Sequence, residues 1–173
     1  MIKRFMEVEG RLLFPIAGQE RLAYTLSGST DLFELEEMAE HGGHPGTVLK
    51  FYDYRRRRVI RLFEQKPNVM YSAPIFSGKH YYFLQCDYGE QVLRMYKYRP
   101  EVPWKLVVEL DLAGIDLYNL RLLGDVPHII SQNGKTFCCY YPEAFSFDLQ
   151  PNETACVIAD GKVYLEAWVE EGW

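Results

Sequence analysis

Lys50-Phe51-Tyr52-Asp53-Tyr54, four arginines at 55 to 58, and Val59-Ile60-Arg61-Leu62-Phe63 form the stretch that decides the fold. Two runs rich in aromatic and β-branched residues flank a charged turn, which is the pattern of two antiparallel strands joined by a hairpin. Related stretches recur downstream. Met95 to Arg99, a Pro100-Glu101-Val102-Pro103 turn and Trp104 to Leu110 make a second copy; Phe145 to Leu149, turn residues Gln150 to Glu153, and Thr154 to Ile158 make a third. An aromatic-rich strand precedes each hairpin, at Leu22 to Leu26, Tyr81 to Gln85 and Thr136 to Tyr141. Before these strands stand glycines 18, 78 and 134, which are 60 and 56 residues apart, a period in the range of propellers and arrays.

Alternation is strictest from Trp104 to Asp111 and from Lys162 to Val169. One face of each run is expected to be core: Trp104, Leu106, Val108 and Leu110 in the first, Val163, Leu165, Ala167 and Val169 in the second. Ser77-Gly78-Lys79, Asn133-Gly134-Lys135 and Asp160-Gly161-Lys162 read as tight hairpin turns whose glycine supplies a positive φ, with Ala17-Gly18-Gln19 a weaker relative.

At Tyr52-Asp53 and Phe147-Asp148 an aromatic and an aspartate end one strand, and a short polar turn and an apolar strand follow. This pattern resembles the hairpin between the third and fourth strands of blades in kelch-like and WD-repeat β-propellers. Tyr98-Arg99 departs from it, and no copy has the kelch double glycine or a Trp-Asp pair, so the likeness is to the architecture, over roughly residues 11 to 160. It implies an all-β fold of antiparallel four-stranded blade-like repeats, a small or incomplete propeller, in a single domain spanning residues 1–173. A fourth unit would combine the hairpin around Gly161 with an N-terminal strand from Ile2 to Val8, bringing strand 162 to 169 to the start of the chain. An antiparallel β-sandwich or barrel is the alternative.

One segment breaks the β pattern. Asp31 with Glu34 three residues on, Leu32, Leu35 and Met38 at helical spacing, and Gly42-Gly43 as a stop predict a short helical insertion over 31–41. It is acidic: residues 31 to 41 hold five acids and no Lys or Arg, whereas residues 54 to 63 hold five arginines and no acid. The net charge of −5 therefore hides two short segments of opposite sign. A strand of five or six residues, about 17–20 Å, should separate them, because successive connections of a meander lie at opposite ends.

Hydrophobic residues at 48% and charged residues at 25% are those of an ordinary globular chain. Aromatics at 15% are the excess, and they suit strand cores before binding platforms. Glu7 and Glu9 interrupt any apolar run behind Lys3 and Arg4, and no uncharged stretch approaches a membrane span, so an intracellular, cytoplasmic chain without membrane contact is expected. Cys86, Cys138, Cys139 and Cys156 include no C-x-x-C and are expected to be buried free thiols.

His41-Gly42-Gly43-His44 is the one close histidine pair, but two ligands on a glycine frame fall short of a zinc site, and a helix cap with an exposed loop is expected instead. His80 and His128 read as ordinary strand residues. No nucleophile elbow, phosphate loop or dinucleotide fingerprint occurs, and no cofactor is implied. Asp111, Asp116, Asp125, Asp148 and Asp160 near strand ends could form a carboxylate pair for chemistry on a glycan or small polar ligand, the enzyme alternative, although turn acids are expected in any case. Arg55, Arg56, Arg57 and Arg58 are the most distinctive run. Four turn arginines are solvated or meet an acidic protein surface, which includes the acidic helix of a second copy. A sequence pI of about 5.4 and an otherwise neutral chain disfavour nucleic acid. The expected function is a non-catalytic interaction or ligand-binding module.

Overall fold

The computed structural model describes residues 13–17 and 21–169. Strand makes up 51% and helix 4% of it, so the all-β expectation holds. Three antiparallel meanders and a hairpin follow one another along the chain. Sheet A joins β1 (Phe14–Pro15), β2 (Leu22–Leu26), β3 (Leu49–Asp53) and β4 (Arg58–Arg61). Sheet B joins β5 (Val69–Tyr71), β7 (His80–Asp87), β8 (Val92–Arg99) and β9 (Val102–Asp111), and β6 (Ile75–Ser77) also pairs with β7. Sheet C joins β10 (Arg121–Leu123), β11 (His128–Gln132), β12 (Thr136–Tyr141) and β13 (Phe145–Asp148). Sheet D is the hairpin of β14 (Glu153–Ala159) and β15 (Lys162–Ala167). None of the sheets closes into a barrel.

The sheets pack face to face in chain order. An aromatic core lies between A and B, where Leu22, Leu49 and Phe51 meet Tyr71, Tyr81, Phe83, Tyr96 and Tyr98. The opposite face of B, with Met70, Leu84, Cys86, Leu93 and Met95, meets Leu122 and Ile129 of C. Sheet C then covers D through Ile130, Phe137 and Cys139 against Ala155 and Ile158. Each fully buried Leu or Phe contributes about 1.5–3 kcal/mol relative to exposure, and the aromatic excess is used mainly here. Phe63 alone has ring neighbours in Tyr71, Phe83, Tyr96 and Trp104.

The helix is shorter than the sequence predicts. Its α-helical part, α1, is Glu34–Ala39, and Asp31 to Phe33 form a turn in which the Glu34, Leu35 and Glu36 N–H groups bond three residues back. Leu32 and Leu35 plug the core between B and C. Gly42 and Gly43, both at positive φ, end it as expected, and the Gly43 N–H returns to the Met38 carbonyl at 2.9 Å.

Several boundaries differ from expectation. Phe145–Asp148 and Glu153–Ala159 do not pair: β13 closes sheet C, while β14 opens sheet D. In order across the sheet, the strand that begins at Thr136 is third, after β10 and β11, whereas β2 and β7 are second in theirs. The second hairpin turns on Pro100-Glu101 alone, because Arg99 is already opposite Val102. The expected core faces of β9 and β15 are only partly covered: Trp104 and Leu106 are each 43% exposed and Leu165 is 37% exposed, whereas Val108, Leu110 and Val163 are half-buried against the core, since both strands lie at sheet edges. Gly134 lacks a positive φ; the Asn133 side chain makes that turn by accepting the Lys135 and Thr136 N–H groups, each at 2.8 Å. Asp160 and Gly161, at φ 52° and 69°, form the expected two-residue turn. The expected N-terminal strand and the turn glycine at 18 lie outside the described residues. Among the described residues no helix is long and apolar enough to cross a membrane.

Candidate functional site

Three turns from two sheets meet at one end of the molecule. The β3–β4 connection carries the arginines. Asp53, at the end of β3, is fully buried, and its Oδ1 accepts the Arg55 and Arg56 N–H groups at 3.0 and 3.2 Å. That carboxylate bends the chain, with Arg57 at φ 52° completing the turn and Arg58 returning opposite Asp53. All four arginines are exposed. The connection carrying α1 joins β2 to β3 at the other end of sheet A, so the acidic helix and the arginine turn point away from each other.

Asp53 Oδ2 accepts from Arg21 at 3.1 Å, and Arg21 reaches Glu101 at 3.3 Å. Arg56 also pairs with Glu101. Glu101 follows Pro100 in the β8–β9 turn at φ 74°, so this carboxylate ties the arginine turn of sheet A to sheet B. Burial opposes the charge on Asp53, but the Arg21 guanidinium and the Arg56 and Arg55 N–H groups outweigh it and hold the carboxyl below its ordinary range.

The third turn, Gly78-Lys79 between β6 and β7, stands beside Arg99 at the end of β8. Arg55, Arg58, Lys79 and Arg99 form no ion pair among the described residues. The local field is positive enough to register on His80, whose proton affinity is lowered by burial and then by Lys97, Arg99 and Lys79. A cleft of about 380 Å³ opens between these turns, lined by Arg21, Lys79, Tyr81 and Arg99 with Phe76 and Val102 as apolar walls. Tyr81 is buried, and its hydroxyl has no hydrogen-bond partner among the described residues.

The sequence singled out Arg55 to Arg58 but missed Arg21, Lys79, Tyr81, Arg99 and Glu101. Strand parity was the available signal: in a meander every second turn returns to the same end.

The other candidates are occupied structurally. His44 is buried, not in an exposed loop: its Nδ1 accepts the Gly46 N–H at 2.9 Å, which puts the ring proton on Nε2, 3.3 Å from Glu34 Oε2. His41 is exposed. No cluster of three or more metal-ligating side chains occurs among the described residues. Asp111 and Asp116 cap turns through the Ala113 and Tyr118 N–H groups. The cysteines are free, but only Cys86 and Cys139 are buried; Cys156 is exposed because it lies on the uncovered face of β14. Burial beside Asp87 and Glu36 pushes the Cys86 thiol up to about 12, so it stays protonated and inert. In comparisons with known proteins, the chain matches no family model, no curated protein and no solved structure.

Proposed function

We propose that this protein is a non-catalytic interaction module, a stack of propeller-like sheets that holds a basic end rigid for an acidic protein surface. The carrying observation is the arginine turn. Its backbone is fixed by the buried Asp53, so the four exposed side chains are presented without having to order their own loop, and ordering costs normally weaken such contacts. Electrostatic complementarity of this kind raises association rates and selects partners by charge. Glu36 and Glu37, exposed on α1 at the opposite end, and Glu40 just after it present suitable chemistry on a second copy, so head-to-tail self-association is one form of the same contact.

Serine at all four of positions 55 to 58 should abolish salt-sensitive binding to poly-glutamate and any concentration-dependent self-association in sedimentation. The melting temperature should fall by no more than about 4 °C, the shift expected for about 1 kcal/mol in a domain of this size. Binding that survives the substitution, or that high salt leaves unchanged, overturns the reading.

A further inference from the structure

We infer that the cleft between Lys79, Tyr81 and Arg99 is a site for a phosphate monoester. This deepens the proposed function and rests on the basic end being the binding face. Three observations converge. The Tyr81 hydroxyl is buried without a partner among the described residues, and a buried polar group left unsatisfied costs about 1–3 kcal/mol unless something at the site accepts or donates to it. Burial raises its pKa, so at neutral pH it is a hydrogen-bond donor awaiting an acceptor. Beside it, Lys79 and Arg99 are cations with no carboxylate partner among the described residues, whereas the acid at the rim, Glu101, is already matched by Arg21 and Arg56.

Charge chooses among anions. A carboxylate brings one negative charge and would leave one of the two cations unmatched. A phosphate monoester brings about −1.5 to −2 and three acceptor oxygens, enough for the ammonium, the guanidinium and the phenol together. The cleft, about 380 Å³, falls in the lower part of the roughly 300–1,000 Å³ range of small-ligand sites. Its walls suit an ester more than a bare ion, because Phe76, Pro100 and Val102 offer apolar surface to the organic part. The same chemistry reaches a protein from two sources, a small phosphate compound or a phosphorylated side chain.

The test is calorimetric titration at low salt with inorganic phosphate, a phosphoserine peptide, its unphosphorylated form and poly-glutamate. Wild type should bind the phosphoserine peptide and not its unphosphorylated form. Tyr81→Phe keeps the ring and its packing and should weaken phosphoserine binding about tenfold or more, the loss of one hydrogen bond to a charged group, while leaving poly-glutamate binding unchanged. Lys79→Met should weaken the phosphate probes in the same way. Inorganic phosphate binding as tightly as the peptide assigns the cleft to small phosphate compounds, and weaker binding assigns it to phosphorylated side chains; both support the site. Unaltered phosphoserine binding by Tyr81→Phe, or no binding of either phosphate probe to wild type, overturns it. In that event retained poly-glutamate binding keeps the acidic-surface reading intact, whereas phosphate binding without poly-glutamate binding removes that reading alone.

Discussion

Asp53 carries three tasks on one buried carboxylate: it caps the arginine turn, it fixes Arg21, and through Arg21 it links β3 to Glu101 on the neighbouring sheet. Its folded pKa lies below the unfolded value of about 3.9. A depressed carboxyl contributes stability above the unfolded pKa and loses it as pH falls through the folded value. Asp53→Asn keeps an oxygen for the turn but leaves Arg21 facing a neutral group, and should cost about 1–3 kcal/mol at pH 7. Urea denaturation of both proteins from pH 7 down to about pH 2 should show the gap closing below about pH 4; a gap independent of pH would place the effect in packing instead.

Among the elements, β7 and β9 make opposite uses of the period-two rule. His80 to Asp87 shows no clean alternation because both its faces are covered, with Phe83 toward sheet A and Leu84 toward sheet C. Trp104 to Asp111 alternates strictly and is the outer strand, half in solvent. Leu84→Ala should therefore cost about 2–5 kcal/mol and Leu106→Ala less than about 1 kcal/mol, measured by urea denaturation; similar losses would contradict this assignment of faces. The same contrast explains what the chain reveals in advance. Turn chemistry was legible at Gly78, at Asp160-Gly161 and at the Gly42-Gly43 stop, because backbone geometry there demands particular residues. Sheet boundaries were not: any two successive strands of a meander look like a hairpin, so Phe145 to Leu149 and Thr154 to Ile158 read as partners although they belong to different sheets. Of the candidate site, only the arginines were visible. Lys79, Tyr81 and Arg99 are ordinary strand and turn residues until the fold brings the start of β7 and the end of β8 together at one end.

At the scale of the whole molecule, the core is a series of interfaces, A on B, B on C and C on D, and sheets B and C are the members covered on both sides. Sheet D has two strands where its siblings have at least four, and β15 is exposed over most of its length. Native-state hydrogen exchange should find the β15 amides opening on the order of a hundredfold faster than those of β7, in line with a graded rather than uniform stability. Equal protection along the chain would mean that β15 is covered in solution. The serial order also bears on how the chain comes into being. Each sheet is complete within one continuous stretch, and its main packing partner is the next stretch along, although α1 of the first stretch also packs against sheet C. The aromatic core between A and B, complete once residue 104 has left the ribosome, can close while sheets C and D are still being translated.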